Sequence, residues 1–350
     1  MLRSRKPAAN KVKLERSPAK PPSRDVLTQY SAGVVGMGLM GTSISACLLA
    51  AGHSLHCVET DAARRRSARA RLLKLLTHAV AEGAMRENPS TLIGRVAISA
   101  DIADLKSAEI VVESTVEDIA LKRQVINEIE KAVSAQALIG SNTSAIPVTD
   151  LQSGAKHPER ILGLHWAEPA HITRFMEIIC GQQTTMANAR RAMRLARGWG
   201  KEPSLLRKDI RGFIANRIMY AMLREAFYLV EAGFASIADV DRSLRNDMGY
   251  WITFAGPFRF MDLTGIPAYA EVMKDLLPDL NCATGVPALM RKVADSGACG
   301  VSNAKGFYPY TPQQARQWEK LFIEFNYKIR ELADRFPEDI GDIPRSSRKN

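Results

Sequence analysis

The sequence has few cysteines, and none of them stands in a C-x-x-C pair. Its 350 residues contain 5 cysteines, an odd number, at wide spacing. This pattern excludes a disulfide framework and a zinc knuckle and favours a reducing compartment, so we expect a cytoplasmic protein without a metal site. Long apolar runs are absent as well. None reaches the roughly 18 to 20 residues that a membrane-crossing helix needs, so we expect no membrane span.

The proportions of hydrophobic and charged residues are those of a globular protein, but the charged residues are unevenly distributed along the chain. Hydrophobic residues make up 46% and charged residues 24%, which is enough apolar material for a sizeable core. The length corresponds to two domains, or to one domain with an appendage. The net charge is +11, of which residues 1–30 contribute +6 through eight basic and two acidic side chains.

Residues 1–30 are rich in proline and poor in apolar side chains, which predicts a disordered basic tail. Three interpretations stay open: a solubilising extension, a presequence that would place the protein in the mitochondrial matrix, and a basic arm for nucleic acid. Prolines and the lack of an amphipathic pattern weigh against a presequence. No aromatic residue precedes Tyr30, so we expect no nucleic-acid partner. Residues 331–350 are predicted to be a C-terminal tail.

A glycine-rich turn follows the first apolar strand. Residues 32–35 lead into Gly36-Met37-Gly38-Leu39-Met40-Gly41, and a helix pattern runs from Thr42 to Ala51. A second apolar strand then ends in Glu59, 23 residues after Gly36. Strand, G-x-G-x-x-G turn, helix, strand and terminal acid together form the dinucleotide-binding fingerprint.

Each element of this fingerprint has a physical role. Gly36 permits the tight turn, Gly38 lets the backbone approach a pyrophosphate, and Gly41 lets the helix pack closely on the strand. The pyrophosphate would lie on the N-terminal amides of the helix. Glu59 is placed to accept hydrogen bonds from the adenosine ribose and would repel a 2′-phosphate, so we predict NAD rather than NADP. Residues 64–66 are arginines, which we interpret as a solvated helix face rather than a phosphate clamp.

Two further apolar strands are predicted, at residues 108–112 and 136–140. The first precedes Glu117 and Lys122, and the second delivers Ser141-Asn142-Thr143-Ser144. Because the carboxyl ends of strands in a doubly wound sheet form the ligand-binding edge, we expect these side chains to lie there.

A histidine and a glutamate occupy two apolar segments in succession. His165 ends the apolar run 161–164, and Glu177 follows twelve residues later inside another apolar strand. A buried carboxylate needs a partner, because an isolated buried charge is very costly. An imidazole has an ordinary pKa of about 6.5, which suits a general base at neutral pH, and a carboxylate stabilises its protonated form. We interpret the pair as a catalytic dyad; a purely structural hydrogen bond is the alternative.

Four blocks, in this order and spacing, resemble the 3-hydroxyacyl-CoA dehydrogenase family over roughly residues 31–315. They are the V-x-G-x-G-x-M-G segment, Ser141–Ser144, Gly163–Trp166 together with Glu177, and Gly212–Arg217. The resemblance implies a fold of the α/β class: a Rossmann-type, doubly wound parallel sheet in residues 31–208 and a smaller all-α domain in residues 209–330. It further implies a homodimer formed through the helical domain, and NAD-linked oxidation of a hydroxyl β to a carbonyl in a small-molecule substrate, as in fatty acid metabolism.

The resemblance also assigns roles by position. His165 is implied to be the base and Glu177 its partner, while Ser144 and Asn216 would hydrogen-bond the reacting oxygen or the adjacent carbonyl. The alternatives are a loop serine and an asparagine that satisfies local amides at a helix start. The implied cofactor contacts are Gly36, Met37, Gly38, Leu39, Met40, Gly41, Glu59, Glu117 and Lys122, although Asp118 replaces the asparagine of the family's V-E-N.

Departures from the family pattern bear on the substrate. The family's H-F-F-N-P is His165-Trp166-Ala167-Glu168-Pro169, so Glu168 is a candidate substrate contact if it faces the site and has no role if it faces solvent. Ser302 replaces a cofactor-binding lysine. Residues 249–258 are more aromatic than in the acyl-CoA enzymes and resemble short members that oxidise free hydroxy acids, such as L-gulonate or carnitine, and the pyridoxine-degradation enzyme. Trp251 in this segment is a second candidate substrate contact, with core packing as its alternative.

The predicted second domain opens with a hinge at Asp209–Gly212 and a long helix that starts near Asn216 and ends at Gly233. Apolar residues repeat along this helix at intervals of four, which gives a wide apolar face. We expect that face to pack within its own domain and against a second subunit. Its central ridge consists of Ile218, Met222, Ala226 and Val230.

Other functions compete with this interpretation. Decarboxylating β-hydroxyacid dehydrogenases share the glycine pattern but use a lysine base, for which no matching motif is present. A non-catalytic, crystallin-like relative is a further alternative, but all four residues of the implied site are in place. The substrate stays open between a coenzyme A thioester, a free hydroxy acid and an aromatic alcohol.

Overall fold

The computed structural model describes residues 30–336, in which a sheet domain is followed by helices. Eight strands form one sheet in the order β3-β2-β1-β4-β5-β6-β7-β8. The strands are β1 Ser31–Val35, β2 Ser54–Val58, β3 Val96–Ser99, β4 Ile110–Glu113, β5 Leu138–Ser141, β6 Ile161–Trp166, β7 Phe175–Cys180 and β8 Glu202–Leu206.

Helices cover the sheet and then form the C-terminal part of the described chain. Those of the sheet domain are α1 Leu39–Ala50, α2 Ala62–Ala81, α3 Pro89–Gly94, α4 Ile119–Ala132, α5 Val148–Leu151 and α6 Met186–Gly198. Those that follow are α7 Ala215–Glu231, α8 Ile237–Asn246, α9 Met248–Trp251, α10 Pro257–Thr264, α11 Ile266–Leu276, α12 Ala288–Asp295 and α13 Pro312–Arg335. Within residues 30–336, no helix is both long and apolar enough to cross a lipid bilayer.

The predicted α/β class is confirmed, with one correction to the strand directions. Strands β1 to β6 run parallel, whereas β7 is antiparallel to β6 and β8 is parallel to β7. The connection between β6 and β7, residues 167–174, contains no crossover helix, and a connection that short can only join antiparallel neighbours. The predicted parallel sheet is therefore confirmed for β1 to β6, and its last two strands run in the opposite direction.

Apolar side chains cover both faces of the sheet. Successive residues of a strand point to opposite faces, so Val34 joins one buried cluster and Val35 the other. Helices α1, α2 and α6 cover the first face and α4 covers the second. Because both faces are buried, the central strands are largely apolar. Most functional polar side chains therefore lie at strand ends and in the loops that follow them, and Glu177 inside β7 is an exception.

The C-terminal boundary differs from the prediction. Helix α13 starts with a capping box between Thr311 and Gln314 and continues to Arg335, so residues 331–335 are helix rather than tail. A long helix whose buried face points at another domain carries a weak sequence signal, because most of its residues stay exposed. The predicted basic tail lies outside the described residues except for Tyr30, as do residues 337–350.

His53 gives the protein a stability that depends on pH. The residue is 0% exposed, its ring stacks on Tyr30 with 3.8 Å between centroids, and neither ring nitrogen has a hydrogen-bond partner within the described part of the chain. Burial lowers the pKa of His53 to about 4. An unfolded histidine titrates near about 6.5, so the unfolded state takes up its proton first. The free energy of unfolding must therefore fall as the pH drops from about 6.5 towards 4.

We expect the variant His53→Phe, which keeps the ring stacking but cannot titrate, to lose less stability in acid than the wild type. Between pH 7 and pH 4.5 the difference should be about 2 to 3 kcal/mol. Urea unfolding of both proteins at a series of pH values measures it. Parallel stability curves would show that His53 is not the source.

Candidate active site

The glycine-rich turn between β1 and α1 leaves room for a ligand at only one of its glycines. Gly36 has a φ of +92°, and an added Cβ there would lie 2.6 Å from the carbonyl oxygen of Ser114. A Cβ on Gly41 would lie 1.8 Å from the carbonyl oxygen of Gly36, whereas a Cβ on Gly38 would meet nothing within 4 Å. Gly38 is the N-cap of α1, so the open space adjoins the positive end of a helix.

Glu59 lies at the end of β2 and holds the glycine-rich turn. Its side chain is buried, Oε2 accepts a hydrogen bond from the Met37 amide at 3.0 Å, and Oε1 accepts one from the Asp61 amide at 2.9 Å. The Nε atom of Arg64 lies 3.6 Å from Oε2. A carboxylate oxygen has two lone pairs, so each oxygen can accept a further bond from a ribose hydroxyl. This geometry fits the role predicted for Glu59.

The arginines of α2 mostly bind backbone carbonyl groups. Arg65 donates to the carbonyls of Glu59 and Thr60, and Arg69 donates to those of Ile93 and Val96. The side chain of Arg64 is 60% exposed. Arg64 thus lies on a solvated face of α2, as predicted for residues 64–66, whereas Arg65 and Arg69 connect α2 to backbone carbonyls at or beside the strands of the sheet.

Arg71 is a residue of this site that the sequence did not single out. It is half-buried, and its guanidinium donates to the carbonyl of Met37 at 2.6 Å and to the hydroxyl of Thr42 at 3.1 Å. Both acceptors belong to the turn and first residues of the α1 segment, 34 and 29 positions earlier. A basic residue among many on α2 gives no signal that it reaches this turn; only the three-dimensional packing reveals it.

We expect Arg71→Met to weaken NAD binding about tenfold, because it removes two hydrogen bonds that hold the turn and a positive charge beside the phosphate-binding end of α1. Titration of protein fluorescence with NAD measures the dissociation constant. Arg66→Met is the matched control, since Arg66 is exposed on the same helix. Equal affinities in the two variants would remove this role from Arg71.

The side chains of Glu117 and Lys122 form hydrogen bonds with the loop that follows β5. Lys122 has no exposed surface, and its Nζ donates to both oxygens of Glu113, at 3.0 and 2.9 Å, and to the carbonyl of Asn142 at 3.0 Å. Glu117 accepts hydrogen bonds from the amide of Ser144 at 3.0 Å and from the Thr143 hydroxyl. This arrangement differs from the direct cofactor contact predicted for Lys122. The ammonium group already donates all three of its protons to protein oxygens, and the side chain is fully buried.

His165 and Glu177 lie directly opposite each other in the antiparallel pair β6–β7. The distance from His165 Nδ1 to Glu177 Oε2 is 2.7 Å, and both residues are buried. Phe175 and Phe213 flank the imidazole, with 5.4 and 5.5 Å between ring centroids. The twelve-residue spacing thus reflects a register: two strands and a short connection bring the residues face to face.

The second oxygen of Glu177 binds the start of α7. Oε1 accepts hydrogen bonds from the amides of Ile214 at 3.0 Å and Ala215 at 2.9 Å. Burial by itself would raise the pKa of Glu177, but the hydrogen bonds from His165 and from these amides outweigh it, so the pKa of the carboxyl is lowered. The carboxylate is therefore ionised beside the imidazole. Gly212 and Phe213, at φ +81° and +52°, form the turn that presents the two amides.

Ser144 and Asn216 come together at the same place. The Nδ2 of Asn216 donates to the carbonyl oxygen of Ser144 at 3.0 Å, across 72 positions of sequence. The side chain of Asn216 thus links the start of α7 to the loop after β5. This contact differs from the alternative in which Asn216 satisfies amides of its own helix.

Glu168 and Trp251, the candidate substrate contacts, have different surroundings. Glu168 is exposed, yet partial withdrawal of its carboxyl from water raises its pKa, against opposing hydrogen bonds from the Ala170 amide and the Ser43 hydroxyl. Trp251 stacks on Phe260 with 4.3 Å between centroids, inside the helical part of the chain. Glu168 therefore lies beside the helix that follows the glycine-rich turn, and the predicted role of Trp251 depends on the resemblance alone.

Two family models match the chain. The NAD binding domain of 3-hydroxyacyl-CoA dehydrogenase matches residues 31–210, and the C-terminal domain of 3-hydroxyacyl-CoA dehydrogenase matches residues 212–310. The chain belongs to the 3-hydroxyacyl-CoA dehydrogenase family. As a member it is an NAD-dependent oxidoreductase, and the open space at Gly38 and the carboxylate of Glu59 fit that cofactor.

Two relatives of this 3-hydroxyacyl-CoA dehydrogenase family member differ in the substrates that their names give. The 5-formyl-3-hydroxy-2-methylpyridine 4-carboxylate 5-dehydrogenase of Mesorhizobium japonicum is 33% identical over 284 residues, 81% of this chain and 91% of the relative. The 3-hydroxybutyryl-CoA dehydrogenase of Mycobacterium tuberculosis is 30% identical over 281 residues, 79% of this chain and 97% of the relative.

Two solved structures are similar to this chain over most of its length. A crystal structure of a 5-formyl-3-hydroxy-2-methylpyridine 4-carboxylic acid 5-dehydrogenase, described as an NAD⁺-dependent dismutase, has a TM-score of 0.81 at 29% identity and covers 88% of this chain and 99% of its own. The structure of FadB2 from M. tuberculosis has a TM-score of 0.68 at 30% identity and covers 81% of this chain and 99% of its own.

Proposed function

We propose that the protein oxidises a hydroxyl group β to a carbonyl, with His165 as the general base. The observation that carries this proposal is the 2.7 Å contact between His165 Nδ1 and an ionised Glu177, near the cofactor-binding edge of the sheet. NAD, when bound, accepts the hydride from the carbon that bears the hydroxyl.

The chain supplies the proton chemistry. Because Nδ1 of His165 is engaged by Glu177, Nε2 is the atom that takes the hydroxyl proton, and the carboxylate stabilises the imidazolium that results. The amides at the start of α7 hold Glu177 in place, and the rings of Phe175 and Phe213 limit the access of water to the imidazole. Geometry is thereby set before the substrate arrives.

Ser144 and Asn216 are proposed to orient the substrate oxygens. The hydrogen bond from Asn216 Nδ2 to the Ser144 carbonyl makes the two residues one unit, joined to α7 on one side and to Glu117 on the other. Since α7 also binds Glu177, the groups that hold the substrate and the group that holds the base share one helix start.

A free ring or hydroxy acid is the second candidate substrate class, and the structural comparison favours it. The pyridine-acid dehydrogenase structure has a TM-score of 0.81 to this chain at 29% identity, whereas the FadB2 structure has a TM-score of 0.68 at 30% identity. The fold of this chain is therefore more similar to that of the pyridine-acid enzyme, although the two sequence identities are nearly equal.

A substrate screen tests both candidates. Reduction of NAD, followed at 340 nm, is compared for 3-hydroxybutyryl-CoA, free 3-hydroxybutyrate, carnitine, L-gulonate and 5-formyl-3-hydroxy-2-methylpyridine 4-carboxylate. A kcat/KM at least tenfold higher for the thioester supports the first class, and the reverse supports the second. If no compound in the set reduces NAD, the proposed reaction is overturned.

We also propose a homodimer formed through the helical part. No residue of α7 is buried in the single chain, and large apolar side chains are exposed along it and along α13: Ile218, Met219, Tyr220, Leu321, Phe322 and Phe325. Such a surface is typical of an interface. Light scattering after gel filtration should give about 77 kDa, twice the 38.6 kDa of the chain.

A cytoplasmic location is proposed from the five free thiols, or the mitochondrial matrix if residues 1–30 are a presequence.

A further inference from the structure

The connection between β6 and β7, residues 167–174, joins the strand that carries His165 to the strand that carries Glu177. It has no helix or strand of its own, so its conformation depends on the groups that bind its backbone. Because the two residues face each other across β6 and β7, the connection bears directly on the geometry of the pair.

Lys201, just before β8, binds this connection from the sheet domain. It is buried, and its Nζ donates to the carbonyl oxygens of Ala170 and Thr173. The same Nζ lies 5.1 Å above the ring of Trp166, the residue that follows His165. A buried ammonium that donates to two carbonyls fixes their positions, since losing either bond would leave the charge underpaired.

Arg330 binds the same connection from helix α13. Its Nη1 donates to the carbonyl oxygens of His171 at 3.3 Å and Ile172 at 2.9 Å. One turn earlier on the helix, Tyr327 is 7% exposed and its hydroxyl lies 3.3 Å from His78 Nδ1 on α2. Helix α13 is therefore docked on the sheet domain at two points, and one of them is the backbone of this connection.

Helix α1 binds the connection through Ser43. The Ser43 hydroxyl lies 2.9 Å from His171 Nδ1 and accepts a hydrogen bond from the His171 amide at 3.4 Å. Burial, and then the charge of Lys201, lowers the pKa of His171 to about 4, so this imidazole is neutral near pH 7. Groups from α1, from the sheet domain and from α13 thus converge on residues 170–173.

We propose that Arg330 is a positioning residue: through its two hydrogen bonds to the connection 167–174, helix α13 holds His165 in register with Glu177. The proposal rests on the proposed role of His165 as the base. It assigns a purpose to a helix that lies beyond both family matches, which end at residues 210 and 310. The helix acts on the reaction from outside the substrate site, through backbone carbonyls.

The test compares Arg330→Met with Arg330→Lys and Arg335→Met. Methionine replaces the unbranched aliphatic part of the side chain but donates no hydrogen bond, so kcat should fall about tenfold while the KM for NAD stays within about twofold. Lysine keeps a donor and should restore at least half of the lost kcat. Arg335 is an exposed residue of the same helix that pairs with Glu331, so its variant should behave as the wild type.

Hydrogen exchange of the backbone provides a readout that does not depend on activity. Amides of residues 167–174 should exchange at least fivefold faster in Arg330→Met than in Arg335→Met, with β5 unchanged. The wild type could show no dehydrogenase activity while residues 167–174 still exchange faster in Arg330→Met. That result would contradict the proposed function but support the docking role of Arg330. Equal kcat and equal exchange in the two variants overturn the proposal. If Arg330→Met does not fold, Arg330→Leu, which also donates no hydrogen bond, takes its place, and wild-type exchange in that variant overturns the proposal equally.

Discussion

Replacement of His165 by glutamine should lower kcat about 10³-fold with the substrate that the screen identifies, because it removes the general base. Glutamine keeps a polar group near Glu177 but cannot accept and hold the hydroxyl proton. The affinity for NAD should stay within about twofold, since no contact of the glycine-rich turn involves His165. Stopped-flow measurement of NADH formation separates the chemical step from product release.

A matched control lies at the other end of the same strand. His157 directly precedes the short helical turn that leads into β6, and its Nδ1 lies 3.5 Å from Glu159, away from the carboxyl end of the strand. His157→Gln should retain full activity. Turnover of His165→Gln within tenfold of the wild type would show that another group is the base.

Local requirements explain what the sequence allowed us to predict. A dinucleotide turn needs glycines at fixed positions, and the structure places Gly36 at a φ of +92° and Gly41 against the carbonyl of Gly36. The His165–Glu177 contact was predictable for a related reason. A buried carboxylate must find a partner, and two apolar strands joined by a short connection place residues twelve apart in register.

Contacts between distant parts of the chain were not predictable in the same way. Lys122 was expected at the cofactor, but the buried carboxylate of Glu113 competes for its ammonium group more strongly than an open cleft does. Arg71 and Arg330 each use a guanidinium to bind backbone carbonyls, and the position of a carbonyl depends on the fold and not on the side chain that carries it. The sequence pattern of a basic helix therefore does not distinguish an arginine exposed to solvent from one that binds the backbone of a distant turn.

The reversal of β7 and β8 has a similar origin. Strand β7 is a short, largely apolar run, and β8 has two leucines after Glu202, Pro203 and Ser204. Hydrophobicity alone does not distinguish parallel from antiparallel neighbours. The decisive information is the length of the connection 167–174, which is too short for a crossover. That reversal is also what places a residue of β7 opposite His165, so the departure from a parallel sheet creates the candidate dyad.

Replacement of Gly41 by alanine should weaken NAD binding by on the order of 100-fold and lower the melting temperature. The added Cβ would lie 1.8 Å from the carbonyl oxygen of Gly36, which is backbone and cannot rotate away. Helix α1 would have to move off β1, and the amides at its start would leave their position at the turn. Isothermal titration with NAD and a thermal melt measure the two effects.

Gly38→Ala is the informative comparison, because the same substitution three residues earlier meets no protein atom. An added Cβ has nothing within 4 Å, and the residue is extended, with φ −69° and ψ −159°. Its melting temperature should therefore equal or slightly exceed that of the wild type, since alanine restricts the unfolded chain. NAD binding should nevertheless weaken at least tenfold, because the methyl group would occupy the space where the pyrophosphate approaches the helix amides. If Gly38→Ala binds NAD as the wild type does, the pyrophosphate does not lie against this residue, and the role assigned to the turn is wrong.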